Sequence, residues 1–120
     1  MPKLAIKRVY EPESPRDGRR ILVERLWPRG VRKDDLKADS WQKEAAPSTA
    51  LRKWYRHVVS RWPEFRRRYV KELDGNEDSW RLLLDTARRR KVTLLYSARD
   101  VEHNGALVLR DYLAERMQRP

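Results

Sequence analysis

Asp100 and His103 form the pair of side chains in this sequence that is best suited to chemistry. They lie three residues apart at the start of a predicted helix, so they can share one face and form a carboxylate-oriented imidazole. Such an imidazole can accept and donate a proton near neutral pH, and we predict both residues as catalytic candidates. Around them, Ser97 and Arg99 can donate hydrogen bonds to an anion, and Asn104 can hold a carbonyl or an amide.

The same loop also has a purely structural interpretation. Asp100 would cap the helix by accepting a hydrogen bond from a backbone amide, and Glu102 would place negative charge near the positive end of the helix dipole. His103 and Asn104 would then bond the surrounding backbone. The residue types and their spacing leave both interpretations open.

Arg25, Arg29 and Lys33 form a second cluster of candidate residues around the turn at residues 26–30. Guanidinium groups bind phosphate and carboxylate through paired hydrogen bonds, so we predict an anion-binding site here. If the strand that ends at Arg25 is a parallel neighbour of the strand before Ser97, both clusters lie at the same carboxyl edge of a sheet. In the alternative, the tryptophan and proline of the turn pack into the core and the basic side chains pair with nearby carboxylates. Those carboxylates are Glu24, Asp34 and Asp35.

A strand, a polar loop and a helix would position the Asp100–His103 pair. Val92–Tyr96 is a short apolar run of strand length, and the loop at residues 97–104 contains no large apolar side chain except Val101. In α/β proteins, the loop and the helix N-terminus of such a unit commonly hold ligands. The helix is predicted from apolar residues at helical spacing, namely Ala106, Leu109, Leu113 and Met117.

The first half of the chain contains two further predicted strands. They cover residues 4–10 and 20–25, and the second has an Ile-Leu-Val centre that indicates burial on both faces. Residues 31–40 are predicted to form a loop with at most one helical turn. Residues 41–45 fit either a short strand or an irregular packing segment, and the pattern does not decide between the two.

Three further helices are predicted between these strands and Val92. The first begins at residues 48–49 and has apolar residues at helical spacing as far as Val59. The second has Pro63 in its first turn, and Gly75 is suited to a left-handed position at its end. Asn76 is predicted to cap the third. This element order predicts an α/β fold with a short, largely parallel sheet flanked by about four helices.

Length and charge limit the class of protein. A chain of 120 residues suffices for one hydrophobic core but not for two, so we expect residues 1–120 to form a compact single α/β domain. The formal net charge is +11, and successive thirds of the chain carry +4, +3 and +4. This even spread attracts polyanions without marking a dedicated nucleic-acid-binding arm.

Several residue types and motifs are missing. The sequence has no cysteine, which excludes disulfides and thiolate metal sites, and with two histidines it gives no support for a metal site. It has no glycine-rich nucleotide loop, and we predict no cofactor. No apolar run approaches the roughly 18 residues that a membrane helix needs, and no signal peptide is apparent. We therefore expect a cytoplasmic protein without a membrane partner.

The chain resembles the YeaO-like family of small prokaryotic proteins, domain-of-unknown-function family 488. The resemblance covers about residues 6–113 and implies a compact α/β fold and a cytoplasmic setting, but no reaction. The chain departs from the family pattern at residues 56–59, where Arg-His-Val-Val replaces a Gly-His-Asp-Pro-like segment. The matching motifs are Leu26-Trp-Pro-Arg-Gly30, Ala46-Pro-Ser-Thr49, Leu51-Arg-Lys-Trp54, Arg61-Trp62, Glu64-Phe65, Arg68-Tyr69 and Thr93-Leu-Leu-Tyr96, with Asp100 and His103-Asn104.

The leading functional hypothesis is a protein that binds or acts on a small phosphorylated or nucleotide-like anion at the strand carboxyl ends. Arg25, Arg29 and Arg99 would neutralise the anion, while Asp100 and His103 would orient it or move a proton. The alternative is a non-catalytic nucleic-acid-binding or regulatory module that uses its dispersed basic surface. Whether the protein is an enzyme, and its oligomeric state, stay open.

Overall fold

A central strand, β4 (Val92–Tyr96), organises the sheet in the computed structural model, which describes residues 4–119. All five of its residues are buried, and this explains the continuous apolar run in the sequence. The other strands are β1 (Leu4–Arg8), β2 (Arg19–Leu22) and β3 (Ser40–Trp41). The sheet order is β1-β4-β2-β3, and all three strand pairs are parallel.

The register brings the carboxyl ends of β2 and β4 side by side. Leu22 pairs with Leu95, and the backbone amide of Val23 continues the ladder by donating to the Leu95 carbonyl at 3.2 Å. β2 is therefore a parallel neighbour of β4, as the anion-site hypothesis requires. The strand β2 ends at Leu22, whereas the predicted strand ended at residue 25, because the chain turns toward β3 after Leu22.

Helices cover the sheet and confirm the predicted α/β class. The short α1 (Lys33–Leu36) is the single helical turn expected in residues 31–40. Residues 41–45 resolve into the end of β3 followed by a 3₁₀ turn, Lys43–Ala45. The longer helices are α2 (Thr49–Tyr55), α3 (Trp62–Asp74), α4 (Arg81–Arg89) and α5 (Gly105–Met117).

Two hydrophobic clusters lie on the two faces of the sheet. Leu94 points into the larger cluster, which α2, α3, α4 and α5 complete. Leu95 points into a smaller cluster with Leu36 of α1, against which Trp27 and Trp41 pack. The rings of these two tryptophans meet edge to face, with centroids 5.4 Å apart. Alternation along β4 thus divides the core between the two faces. Among residues 4–119, no helix combines the length and the apolar character needed to cross a membrane.

Two predicted helix ends differ from the structure. α2 ends at Tyr55 rather than continuing to Val59, because the next two residues adopt left-handed backbone angles. The prediction of a left-handed Gly75 is wrong, since its φ is −88°. There α3 ends in a tight turn in which the Asn76 amide donates to the Leu73 carbonyl at 3.1 Å, which requires no positive φ.

The predicted cap of α4 also differs. The Asn76 side chain accepts no capping hydrogen bond, and a 3₁₀ turn, Glu77–Ser79, lies between Asn76 and α4. The Ser48 cap of α2 is confirmed, because its hydroxyl accepts a hydrogen bond from the Leu51 amide at 3.1 Å.

A buried ion-pair cluster fixes the connection that leads into β2. Asp17 accepts from Arg20 at 2.5 Å and from Lys7 of β1 at 3.0 Å. Arg20 is only 4% exposed and also donates to the Leu36 carbonyl at 2.8 Å. Burial by itself would raise the pKa of Asp17, but hydrogen bonds from the Ser14 amide, Lys7 and Arg20 outweigh it and hold the pKa below its ordinary value.

Candidate functional site

A pocket of about 410 Å³ opens at the carboxyl ends of β2 and β4. The chain leaves β2 toward β3, whereas β4 leads into α5, which packs on β1 and β4, so the two connections diverge. Crevices at such divergence points are the usual ligand sites of parallel sheets. The walls come from residues 23–26 after β2, Ser97 and Ala98 after β4, the start of α5 and one side of α2.

Glu24 and Ser97 join the two strand ends within this pocket. The Ser97 hydroxyl donates to Glu24 Oε1 at 2.6 Å. Burial raises the pKa of the Glu24 carboxyl above its ordinary value, while the Ser97 hydrogen bond and the charges of Arg52 and His57 act in the opposite direction. The pair therefore presents a partly desolvated carboxylate to the pocket.

Arg52 and Lys53 of α2 bring exposed positive charge to the rim of the pocket. Within residues 4–119, neither side chain makes a hydrogen bond or an ion pair. The helix backbone fixes where these side chains start, and their charged ends are open to a ligand. They can accept the negative charge of a phosphate or carboxylate group.

Arg25 lines the pocket, but its guanidinium has structural partners. It donates to the carbonyls of Pro47 and Ala46 at 3.1 and 3.0 Å and to the Glu44 carboxylate at 3.3 Å. These bonds attach the segment before α2 to the end of β2. Arg25 therefore forms part of the pocket wall, and its guanidinium is already bonded within the protein instead of being open to an anion.

Three other predicted anion-binding residues lie outside the pocket. Arg29, Lys33 and Arg99 are exposed and do not contribute to its walls. The Arg29 carbonyl accepts a hydrogen bond from the Tyr10 hydroxyl at 3.0 Å, which fixes the turn without orienting the guanidinium. Of the predicted anion-binding residues, the structure therefore brings Arg25, Ser97 and Asn104 together at the pocket. The other three lie elsewhere on the surface.

The predicted Asp100–His103 pair is present. Asp100 Oδ2 lies 2.9 Å from His103 Nδ1, and Oδ1 accepts from the amides of Glu102 and His103. The bond from the Glu102 amide, with that from His103, holds the pKa of Asp100 below its ordinary value. The His103 ring packs edge to face on Trp62 at 5.3 Å, and neither member of the pair lines the pocket. Their catalytic role stays a prediction.

The helix cap is Asn104 and not Asp100. Asn104 Oδ1 accepts from the Leu107 amide at 2.9 Å, and its Nδ2 donates to the Asp100 carbonyl at 2.9 Å. Asn104 is 2% exposed, so both ends of its amide serve the local fold at the base of the pocket. Asp100 closes the preceding turn through its side chain, because α5 begins four residues later than that cap would require.

The polar pocket residues that were missed at the sequence level include Glu24, Arg52, Lys53 and His57. An acidic residue directly after a buried strand was an available signal for Glu24. For His57 the signal was the departure from the family pattern, because a glycine before the histidine indicates a left-handed backbone. Among residues 4–119, no group of three His, Asp or Glu side chains is placed to hold a metal ion.

Comparison with known proteins identifies relatives over nearly the whole chain. A family model described as "Inactive DUF488-N3 subclade" matches residues 3–120. "Uncharacterized protein YeaO" of Escherichia coli (strain K12) is 50% identical over 107 residues, which cover 89% of this chain and 93% of YeaO. "Uncharacterized protein Rv3073c" of Mycobacterium tuberculosis (strain ATCC 25618 / H37Rv) is 42% identical over 111 residues, which cover 92% of this chain and 93% of that protein. No solved structure is significantly similar to the chain.

Proposed function

The chain belongs to the YeaO-like DUF488 family, and we propose that it is a non-catalytic binding protein for a small phosphorylated, nucleotide-like molecule. The observation that carries the proposal is the combination, in one pocket, of two open cations and a recessed carboxylate. The cations would bind the phosphate, and the recessed walls would hold the remainder of the ligand.

Size and charge both support a small anionic ligand. A volume of about 410 Å³ falls in the range of typical small-molecule sites. Arg52 can form paired hydrogen bonds with phosphate oxygens, and Lys53 on the neighbouring position adds a point charge. The overall charge of +11 would raise the local concentration of any anion near the rim.

Binding without turnover is the version of this function that we favour. The family model is described as an inactive subclade. The Asp100–His103 pair, which has the chemistry for proton transfer, contributes nothing to the pocket wall. A ligand bound in the pocket would therefore not contact this pair.

The basic surface gives less support to the alternative of nucleic-acid binding. Arg67 and Arg68 of α3 both donate to Glu64 at 2.6 and 2.7 Å, and Arg110 of α5 pairs with Asp111 on the same helix at 3.0 Å. Such local pairing on α3 and α5 neutralises part of the charge that a phosphate backbone would contact.

Calorimetric titration with sugar phosphates and nucleoside monophosphates tests the proposal. Arg52→Ala is expected to weaken binding about tenfold to a hundredfold, because a hydrogen bond to a charged group contributes about 1.5–3 kcal/mol. Arg16→Ala is the matched control, since Arg16 is exposed in the connection before β2, at the other end of that strand. Equal affinity of wild type and Arg52→Ala for every bound phosphate would contradict the proposal.

A further inference from the structure

Among the described residues, the Glu24 carboxylate forms no ion pair, although Arg52 and His57 lie close enough to lower its pKa. Within residues 4–119, no Lys, Arg or His lies within ion-pair distance of Glu24. The adjacent Arg25 turns away to the carbonyls of Ala46 and Pro47, and Arg52 remains on the rim. The longer-range attraction of Arg52 and His57 offsets only part of the effect of burial on this carboxylate, so hydrogen bonds from a bound ligand would stabilise it further.

The hydrogen bonds that Glu24 does receive leave capacity for a ligand. Ser97 donates its hydroxyl to Oε1 at 2.6 Å and also provides a backbone hydrogen bond. A carboxylate offers about four acceptor positions, so acceptor capacity remains on the side that faces the pocket. Ser97 also orients the carboxylate, because both residues follow strands that are held in fixed register.

From this geometry we propose that Glu24, oriented by Ser97, accepts hydrogen bonds from the vicinal hydroxyls of a ribose, so that the pocket selects ribose phosphates over 2-deoxyribose phosphates. This inference rests on the proposed function, in which Arg52 and Lys53 bind the phosphate. A neutral hydroxyl is the donor that fits, because an ammonium group would be repelled by Arg52 and Lys53 at the same pocket. Carboxylates at strand carboxyl ends recognise ribose hydroxyls in other parallel-sheet proteins, and the chemical requirement is the same here.

The selectivity is tested by titrating wild type with ribose 5-phosphate and 2-deoxyribose 5-phosphate, and then with AMP and dAMP. Wild type is expected to prefer the ribose member of each pair by about tenfold or more, the effect of a hydrogen bond to a charged group. Glu24→Gln keeps the side-chain shape but replaces one acceptor with a donor. It is expected to retain phosphate binding and to reduce the preference to less than about twofold. The control Glu115→Gln, at an exposed position on α5, is expected to keep the wild-type preference.

The outcomes separate this inference from the proposed function. Equal binding of ribose and deoxyribose phosphates by wild type, or an unchanged preference in Glu24→Gln, overturns the role of Glu24 and leaves phosphate binding intact. Absence of binding of both phosphates to wild type overturns the proposed function itself. Circular dichroism and thermal unfolding of Glu24→Gln verify that the variant is folded, and the neutral side chain suits a site where burial already disfavours the charge.

Discussion

Arg56 and His57 show at the scale of single residues how the pocket is shaped. Their φ angles are 46° and 58°, in the left-handed region that side chains other than glycine rarely adopt. These two residues end α2 and reverse the direction of the chain, which places His57 in the pocket wall. The local strain is therefore associated with the candidate site.

Replacement of Arg56 by glycine is expected to stabilise the protein. Relief of the left-handed penalty is worth about 1–2 kcal/mol, and the greater freedom of glycine in the unfolded chain offsets about 0.5–1 kcal/mol of that gain. We expect a net increase of about 0.5–1 kcal/mol in the free energy of unfolding, measured in urea. Arg52→Gly, inside α2, serves as the control and is expected to lose about 1 kcal/mol. A loss of stability in Arg56→Gly would show that the Arg56 side chain is itself stabilising.

Asp17 gives a second prediction at the residue scale, one that depends on pH. Asp17→Asn would leave the buried Arg20 without its carboxylate, so we expect a loss of about 3–5 kcal/mol at neutral pH. Because the folded-state pKa of Asp17 is below its ordinary value of 3.8, the ionised carboxylate stabilises the fold above that pH. This stabilisation disappears as the pH falls through the lower folded-state pKa.

The measurement is urea unfolding of wild type and Asp17→Asn between pH 2 and pH 7. The stability difference between the two proteins is expected to shrink as the pH falls. A difference that stays constant over this range would mean that the Asp17 charge contributes nothing and that only the shape of the side chain matters.

At the scale of secondary-structure elements, Gly18 controls how closely the β2 connection approaches β4. Its φ is 66°, and a Cβ atom at this position would lie 2.3 Å from the Lys91 carbonyl oxygen. The Arg19 amide donates to that same carbonyl at 2.9 Å, so the backbone there has little freedom to move.

Gly18→Ala is therefore expected to be much more destabilising than Gly30→Ala. Gly30 also has a positive φ of 76°, but no heavy atom lies within 4 Å of the position of its added Cβ. We expect Gly30→Ala to lower the free energy of unfolding by about 1–2 kcal/mol, the cost of a left-handed backbone with a side chain. For Gly18→Ala we expect an additional loss of about 1–3 kcal/mol, because the new methyl group clashes with the Lys91 carbonyl. Thermal or urea unfolding measures both variants. Equal losses would mean that the contact with Lys91 relaxes without cost.

The elements that could be predicted from the sequence are those whose own residues determine them. β4 has a buried apolar run and α5 has apolar residues at helical spacing, and the structure confirms both. The ends of α2 and α3 could not be derived in this way. They depend on left-handed residues and on 3₁₀ turns that tertiary packing imposes on an ordinary sequence.

Only part of the candidate site could be predicted, because some of its contacts join segments that are distant in the sequence. Parallel pairing of β2 with β4 placed Ser97 and Arg25 at one edge, as expected from the order of the elements. The pocket also includes Arg52 and Lys53 from α2. Because α2 is far from β4 along the chain, the sequence does not show that these side chains lie near the strand ends. The Asp100–His103 pair was found from its spacing, because a contact across three residues is local.

Across the whole molecule, the basic residues are divided between those that form structural ion pairs and those that remain open. Arg67, Arg68 and Arg110 pair with carboxylates on their own helices. Arg52 and Lys53 instead remain open at the edge of the sheet where the strand connections diverge. The net charge would then serve to attract the anion, and the pocket would determine which anion stays bound.

The most direct test is a titration of ¹⁵N-labelled protein with ribose 5-phosphate at moderate salt, followed by amide chemical shifts. The account predicts saturable shifts that cluster at the pocket, at the amides of Glu24, Arg52, Ser97 and Gly105, with small shifts for the connection before β2. Shifts spread over the basic helices that vanish as salt rises would contradict a specific pocket, and so would a spectrum that the ligand leaves unchanged.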